Sequence, residues 1–181
     1  MVTSKQELRK TMRQINRSLS ADERTRLSEE LWSAVESHEA FASAQTIALF
    51  SSLPDEPDTA SALSRWSATK HLVVPRVEGE VMHFYDYHPA VMSTGSFGIS
   101  EPESGEVIDP TTIDLILVPG VAFTAAGDRM GRGKGFYDKY LVQLRRDAVK
   151  MGICYPHQIV EELPTEPHDV QMDVITLSIR N

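Results

Sequence analysis

An unbroken apolar run from Leu115 to Val118 is the feature that most constrains how this chain can fold. Successive side chains of a β-strand point to opposite faces, so such a run suits a strand whose two faces are both covered. Strands of this type occur in parallel sheets that are connected by helices. Segment 114–119 is therefore predicted to be a central strand of an α/β fold.

Helical and strand-like patterns alternate along the rest of the chain. Further strands are predicted at 46–53, 72–75, 82–87, 150–155 and 173–178. Helices are predicted for two amino-terminal segments, for 59–68 and for about 135–149. Residues 88–112 are rich in Gly, Pro, Ser and Glu and are predicted to be mostly loop. The alternation favours helical crossovers in one domain over residues 1–181.

The two amino-terminal helices are predicted from capping boxes. Ser4 with Glu7, or Thr3 with Gln6, can begin the first, and Ser20 begins the second. The expected buried face of the first helix consists of Leu8, Met12, Ile15 and Leu19. The basic residues that repeat every four positions on a different face are Lys5, Arg9 and Arg13.

Charge and composition argue against several functions. The chain carries 26 acidic and 18 basic side chains, a net charge of −8, which disfavours general binding to nucleic acid or to an anionic membrane. The polar start argues against a signal peptide, and Pro119 and Gly120 break the longest apolar stretch, which is too short to span a bilayer. The single cysteine, Cys154, is expected to be a buried strand residue, and it favours a reducing, cytoplasmic location.

A glycine-rich basic segment, residues 127–138, follows the central strand and leads into a predicted helix. Its glycines permit unusual backbone angles and close approach to a ligand. Arg129, Arg132 and Lys134 add positive charge, and free N–H groups at a helix start favour an anion. The spacing fits neither a Walker A loop nor a dinucleotide fingerprint. The segment predicts a phosphate-type anion site, with a flexible solvated loop as the alternative.

Other polar residues are weaker candidates. Lys5 and Arg9, one helical turn apart, could clasp phosphates or form a solvated helix face. Glu56 follows the first predicted strand, where open α/β sheets bind ligands, with a turn carboxylate as the alternative. Asp138 and Asp169 would suit Mg²⁺, which prefers oxygen ligands, or could serve a local ion pair and a turn.

The order of these motifs resembles that of the 5-formyltetrahydrofolate cyclo-ligases, also called methenyltetrahydrofolate synthetases. The most specific match is the run 118–123, VPGVAF, followed by the glycine segment, GDRMGRGKGFYD. Weaker matches in the same order are KQELR at 5–9, DEPDT at 55–59, SFGI at 96–99, Gln158, Leu163, Pro164, His168, Asp169 and Asp173. The resemblance covers nearly the whole chain.

The resemblance implies a fold and an activity. The expected fold is a three-layer α/β/α arrangement with a mostly parallel sheet, similar to that of sugar-phosphate isomerases and CoA transferases. The implied reaction is the ATP-dependent cyclisation of 5-formyltetrahydrofolate to 5,10-methenyltetrahydrofolate, with ATP and Mg²⁺ as cofactors and a folate as the small-molecule substrate. We expect no nucleic-acid or membrane partner, and a monomer, with a dimer as the alternative.

The resemblance also implies roles for individual residues. Nucleotide contacts are implied for Lys5, Arg9, Arg129, Met130, Gly131, Arg132, Gly133, Lys134, Gly135, Phe136 and Tyr137. Folate contacts are implied for Ser51, Glu56, Phe97, Arg132, Gly133, Lys134, Gly135 and Phe136. The implied catalytic residues are Arg132, Lys134 and Tyr137. The implied metal ligands are Asp138 and Asp169.

Two positions depart from the family pattern. Thr124 stands where the family usually has Asp, and Ser100 replaces a common Pro, which would have fixed the backbone. The first departure leaves open a non-catalytic folate- or nucleotide-binding regulator on the same scaffold. A nucleic-acid-binding domain is disfavoured by the acidic balance, and a sugar-phosphate isomerase would rest on fold alone.

Overall fold

The structure is a computed structural model that describes residues 4–95 and 98–176. Its α-helices are α1 (Lys5–Ser18), α2 (Ala21–Glu36), α3 (Glu39–Ser43), α4 (Ala60–Trp66) and α5 (Phe136–Leu141). Its first strands are β1 (Thr46–Ala48), β2 (His71–Glu78), β3 (Val81–Asp86), β4 (Met92–Thr94) and β5 (Ser100–Pro102). The later strands are β6 (Leu115–Pro119), β7 (Ala122–Phe123), β8 (Arg129–Met130), β9 (Val149–Ile153) and β10 (Val174–Thr176).

A six-stranded sheet forms the middle of the molecule, in the order β10-β9-β6-β1-β2-β3. Every neighbouring pair is parallel except β2 and β3, which form an antiparallel hairpin at one edge. The predicted central strand, β6, lies between β9 and β1, and its Leu117 is in register with Met151. The sheet therefore has the mostly parallel character that the apolar run of β6 predicted.

The two faces of β6 contribute to two different cores. Leu115 and Leu117 belong to a core that α2, α3 and α4 close, whereas Ile116 and Val118 belong to a second core that includes α5 and β7. Burying an aliphatic side chain of this size stabilises a fold by about 2 kcal/mol. The layered α/β class with flanking helices is confirmed, and the likeness to sugar-phosphate isomerases and CoA transferases stays a prediction.

Both amino-terminal helices begin with capping boxes. The Ser4 hydroxyl accepts from the Glu7 N–H at 3.2 Å, and the Glu7 carboxylate accepts from the Ser4 N–H at 3.0 Å. Ser20 and Glu23 repeat this arrangement at α2. Each box satisfies N–H groups that a helix start leaves without intrahelical partners. The alternative cap at Thr3 falls outside the described residues.

The buried face of α1 differs from the predicted stripe. Met12 is buried as predicted, but Ile15 is 38% exposed and Asn16 is buried in its place. The Asn16 amide donates to Asp55 O at 2.9 Å, and its Oδ1 lies 2.5 Å from His157 Nε2. A polar group is buried readily when it is hydrogen-bonded, so these partners, and not hydrophobicity, place Asn16 inside.

Three other segments differ from their predicted extent. The predicted strand 46–53 ends at Ala48, and the predicted loop 88–112 contains the β4–β5 hairpin. The helix predicted for 135–149 ends at Leu141, after which the chain turns back into β9. Arg145 holds that turn by donating to Ile113 O at 2.9 Å. Tertiary contacts of this kind readily override weak helical propensity.

Two further expectations concern the membrane and the cysteine. Among the described residues, no helix combines the length and the apolar character that crossing a bilayer requires. Cys154 is buried, as expected, although it lies directly after β9 and not within it. Burial raises the pKa of its thiol to about 12. Cys154 is thus a core residue that stays protonated near neutral pH.

Candidate active site

A cavity of about 450 Å³ lies where the chain leaves the carboxyl ends of β1 and β6. Ligands of open α/β sheets usually bind at this edge. The predicted site residues that line it are Lys5, Arg9, Ser51, Glu56, Arg129, Met130, Gly131, Arg132, Gly133, Lys134, Gly135, Phe136, Tyr137, Asp138 and Asp169. The fold thus brings together residues that are far apart in the sequence. Phe97, the remaining predicted residue, lies outside the described residues.

Close backbone packing anchors the start of the glycine segment. Gly127 has a φ of +102°, and a β-carbon there would come within 2.4 Å of Met172 O. The Gly127 carbonyl accepts a hydrogen bond from the Met172 N–H at 2.8 Å. The position therefore requires glycine both for its backbone angle and for space.

Arg129 is a buried cation with a fixed position. Its Nη1 donates to Pro119 O at 3.0 Å, and its Nη2 lies 3.4 Å from Asp138 Oδ2. The guanidinium also lies over the Tyr137 ring, 5.6 Å from the ring centre. Burial lowers the pKa of Arg129, and the Asp138 carboxylate opposes that shift. Arg129 thus belongs to the wall of the cavity, and its predicted nucleotide contact stays a prediction.

Arg132 connects the glycine segment to the turn after β1. Its guanidinium donates to both carboxylate oxygens of Asp55, at 2.8 and 3.2 Å, and its Nε donates to Glu56 Oε1 at 3.2 Å. Both carboxylates are buried. Burial raises the pKa of Glu56, and the Arg132 guanidinium opposes that shift. Arg132 therefore holds the two predicted ligand-binding regions together across the cavity.

Backbone carbonyls of the turn 53–56 are held from behind by two further side chains. The Arg24 guanidinium donates to Glu56 O at 3.0 Å and to Leu53 O at 3.2 Å. The Tyr155 hydroxyl donates to Glu56 O at 3.3 Å. The Glu56 carboxylate also accepts from the Leu53 N–H at 2.8 Å. These bonds fix the direction in which Glu56 presents its carboxylate to the cavity.

Further lysine and arginine side chains, from α1 and the glycine segment, also line the cavity. Lys5 Nζ lies 3.5 Å from Glu166 Oε1, and Arg9 Nε donates to Gly131 O at 2.9 Å. Lys134 is exposed and has no ion pair within the described parts of the chain. Because an exposed ammonium can reorient, Lys134 is the loop cation that is most available to a ligand.

Some buried polar atoms without hydrogen-bond partners belong to residues that line this cavity. Within residues 4–95 and 98–176 such atoms include Ser51 Oγ, Arg129 Nε and Arg13 Nε, all in cavity-lining residues. Buried polar groups are normally bonded, so unpartnered ones indicate a place where a ligand or water completes the bonding. Ser51 was predicted to contact folate, and its orphaned hydroxyl is suited to that role.

A separate group of side chains could hold a metal ion. Potential ligand atoms of Glu166, His168 and Asp169 lie within 4.8 Å of one another. Asp138 is not in this group: its Oδ2 faces Arg129 and its Oδ1 accepts from the Val170 N–H at 3.1 Å. Of the two predicted metal ligands, only Asp169 belongs to this group, together with Glu166 and His168, and the metal-binding role stays a prediction.

Thr124, at the position that departs from the family pattern, has a local function. Its hydroxyl donates to Asp128 Oδ2 at 3.0 Å and accepts from the Asp128 N–H at 3.1 Å. The Thr124 carbonyl accepts from the Gly127 N–H at 3.0 Å. The side chain is buried and stabilises the turn that leads into the glycine segment.

Three charged residues of the cavity wall were not assigned to the site from the sequence. Arg13 continues the four-residue repeat of Lys5 and Arg9, and that spacing was the signal. Glu101, in β5, is buried and accepts from the Val77 N–H at 3.3 Å, but no motif marks it. Glu166 lies three residues before Asp169 in a segment without clear periodicity. The last two reach the cavity only through tertiary folding.

Fold and site together define an α/β enzyme whose cavity presents both cations, suited to an anionic ligand, and a buried carboxylate. Residues 1–178 match the model of the 5-formyltetrahydrofolate cyclo-ligase family. The 5-formyltetrahydrofolate cyclo-ligase of Mus musculus is 30% identical over 96% of this chain and 93% of its own length. That of Escherichia coli is 27% identical over 91% of this chain and 94% of its own length.

Two solved structures of methenyltetrahydrofolate synthetases are also similar to this chain. The 5,10-methenyltetrahydrofolate synthetase of Aquifex aeolicus superposes with a TM-score of 0.87 at 37% identity, covering 97% of this chain and 90% of the other. The enzyme of the same name from Mycoplasma pneumoniae has a TM-score of 0.78 at 29% identity, covering 96% and 98%. The chain therefore belongs to the 5-formyltetrahydrofolate cyclo-ligase family, whose members are ligases.

Proposed function

We propose that this chain closes the ring of 5-formyltetrahydrofolate to give 5,10-methenyltetrahydrofolate, converting ATP to ADP and phosphate. The observation that supports this most directly is that the basic glycine segment and Glu56 line the same cavity. Glu56 is a buried acceptor whose carboxylate is held by the Leu53 N–H. Relatives that match nearly the whole chain are named 5-formyltetrahydrofolate cyclo-ligase or 5,10-methenyltetrahydrofolate synthetase.

The chemistry must remove an amide oxygen, which is a poor leaving group. The formyl oxygen attacks the γ-phosphorus of ATP, so that a new O–P bond forms as the bond to ADP breaks. The N10 nitrogen then attacks the formyl carbon, and the C–O bond breaks with release of phosphate. The proton that N10 loses leaves with the phosphate. Transfer of this kind needs positioning and charge neutralisation more than a protein nucleophile.

On the folate side, Glu56 would accept hydrogen bonds from N–H groups of the pterin. Its carboxylate is held by the Leu53 N–H and by Arg132, so its direction is set before the folate arrives. Ser51 Oγ, which is buried and unpartnered, would bond to another polar group of the ring. Apolar side chains such as Val77 and Met82 would pack against the ring faces. Fixed polar groups in an apolar pocket orient a substrate and give specificity.

On the nucleotide side, Lys134, Arg9 and Lys5 would neutralise phosphate charge, with N–H groups of the glycine segment. Phe136 and Tyr137 would exclude water and so limit futile ATP hydrolysis. Burial raises the pKa of the Tyr137 hydroxyl, so it stays protonated and can donate a hydrogen bond. Its proposed catalytic role is therefore as a donor and not as a base.

The carboxylates of Glu166 and Asp169 fit a Mg²⁺ ion, because this cation prefers oxygen ligands and usually keeps several waters. Asp138 fits less well, since Arg129 and the Val170 N–H already engage its two oxygens. A bound Mg²⁺ would neutralise phosphate oxygens of ATP. Lys5, which lies 3.5 Å from Glu166, would then share the same phosphates.

An absorbance assay for the methenyl product tests the proposal. The purified chain is incubated with 5-formyltetrahydrofolate and Mg²⁺, with and without ATP, and ADP is measured in parallel. We expect product only with ATP and one ADP per product. If the chain binds both ligands but forms no product, it is instead a non-catalytic folate- or nucleotide-binding regulator, which is the alternative that the departure at Thr124 allows.

A further inference from the structure

Lys5, Arg9 and Arg13 are spaced four residues apart on α1 and all line the cavity. Lys5 pairs with Glu166, and Arg9 donates to Gly131 O. Arg13 makes no ion pair within the described parts of the chain, and its Nε is buried without a hydrogen-bond partner. The reaction outlined above has used only the first two cations, so Arg13 lacks a role.

The chemistry of an arginine indicates what would satisfy it. A guanidinium has five N–H donors in a planar fork and no acceptor, and it matches the oxygens of a phosphoryl group. Arg13 is partly buried, with its Nε fully shielded from solvent, so water does not complete its bonding at that atom. An acceptor-rich group inside the cavity would do so.

The position of Arg13 along α1 indicates which phosphate it meets. Four residues advance about 6 Å along a helix axis. Lys5 lies beside Glu166, at the proposed metal end, and Arg9 lies beside the glycine segment. Arg13 is one turn further on, next to Asn16, which donates to Asp55 O beside the proposed folate acceptor. The cation nearest the folate end meets the phosphate that must reach the folate.

We propose that Arg13 is a further catalytic residue, which contacts the γ-phosphoryl group as it moves from ATP to the formyl oxygen. This inference rests on the proposed function. The oxygens of the group being transferred lie closer to the folate in the transition state than in bound ATP. Arg13 therefore binds the transition state more tightly than the ground state, and its loss lowers kcat more than it weakens ATP binding.

Arg13→Gln and Arg13→Lys test this, with Arg17→Gln as the matched control. Arg17 is exposed, lies one turn further along α1 and is not in the cavity wall. We expect Arg13→Gln to lower kcat about 100-fold, in the range found for removal of a single oxyanion-stabilising donor. Arg13→Lys should recover part of that loss, and Arg17→Gln should match the unaltered chain. ATP affinity, measured by calorimetry with a non-hydrolysable analogue, should change less than about threefold.

The outcomes separate this inference from the proposed function. If the unaltered chain forms no methenyl product, the proposed function itself fails. If it is active and Arg13→Gln keeps kcat within about twofold, Arg13 is not catalytic. A loss confined to ATP affinity would also overturn the inference, because it would mean uniform binding. Thermal unfolding of each variant checks that a loss of kcat does not come from unfolding; if Arg13→Gln is unfolded, Arg13→Lys decides.

Discussion

Two parts of the glycine segment, residues 127–130 and 131–135, both combine glycine with basic residues but lie in different physical situations. In the first half, residues 127–130, Gly127 packs on Met172 O and the Arg129 side chain is only 4% exposed. In the second half, residues 131–135, Lys134 is exposed, and a β-carbon at Gly133 would make only an ordinary contact with the Arg9 guanidinium, 3.7 Å away. A cation in this segment can therefore be either part of the framework or a ligand-binding group.

The difference follows from the cost of burying charge. A guanidinium removed from water is destabilising unless it is paired and hydrogen-bonded. Arg129 meets this requirement through Asp138 and Pro119 O, which engage both of its terminal nitrogens, and only its Nε is left without a partner. Lys134 stays in solvent and keeps its hydrogen-bonding capacity for a ligand. We therefore expect substitution of Arg129 to affect mainly stability, and substitution of Lys134 to affect mainly turnover.

Lys134→Ala is expected to have the largest effect, a loss of turnover of about 1000-fold. Since the side chain is exposed, the free energy of unfolding should change by less than about 0.5 kcal/mol. Lys139→Ala, an exposed lysine on α5, is the matched control and should keep full activity. Steady-state formation of methenyl product, together with denaturant unfolding, checks both statements. Near-normal turnover in Lys134→Ala would remove Lys134 from the site.

Arg129→Met should lower the free energy of unfolding by about 4 kcal/mol, because it leaves the Asp138 carboxylate without its cation. Urea unfolding followed by circular dichroism measures this. The double variant Arg129→Met with Asp138→Leu should lose less than the single variant, since no unpaired charge remains. If the single variant is as stable as the unaltered chain, the first half of the segment is not a framework.

Gly127→Ala and Gly133→Ala compare the two halves directly. Gly127→Ala should cost about 2 kcal/mol of unfolding free energy, because the new methyl group meets Met172 O and φ is positive. Gly133 also has a positive φ, +104°, but no backbone atom blocks a β-carbon, so its substitution should cost about 1 kcal/mol. Equal losses would mean that packing at Gly127 contributes nothing.

Glu56→Gln is expected to weaken folate binding about tenfold, with ATP binding nearly unchanged. Its effect on stability should depend on pH. Burial raises the pKa of Glu56 in the folded chain above its ordinary value of 4.5, so the folded state binds this proton more tightly than the unfolded state. The contribution of Glu56 to the free energy of unfolding is complete below the pKa of the unfolded state. It is lost as the pH rises through the pKa of the folded state.

The unaltered chain should therefore lose stability relative to Glu56→Gln as pH rises above about 4.5. Unfolding free energies of both proteins at several pH values, with calorimetric folate affinities, make this comparison. A difference that does not vary with pH would contradict the role of burial. Unchanged folate affinity would contradict the role of Glu56 at the ring.

Some of the structure could be predicted because it depends on local patterns. The capping boxes at Ser4 and Ser20 involve residues three positions apart, so they can be recognised in the sequence. The apolar run of β6 predicted a strand buried on both faces, and both faces are buried. The glycine segment and its order relative to the other motifs identified the family.

Two of the errors come from contacts between distant residues. Asn16 displaces Ile15 from the buried face because Asp55 and His157, far along the chain, offer hydrogen bonds. The helix after Gly135 ends early where Arg145 bonds back to Ile113 O. The spacing of residues within one segment gives no information about these distant partners.

By itself, the sequence determined the α/β class, the central strand, the helix starts and the identity of the glycine segment, because each depends on residues close together in the chain. Only the tertiary structure decided that Arg129 is buried against Asp138, that Arg132 joins the glycine segment to the turn after β1 and that Lys134 is exposed. The physical reason is that burial and ion pairing depend on which distant groups the fold brings near a charge.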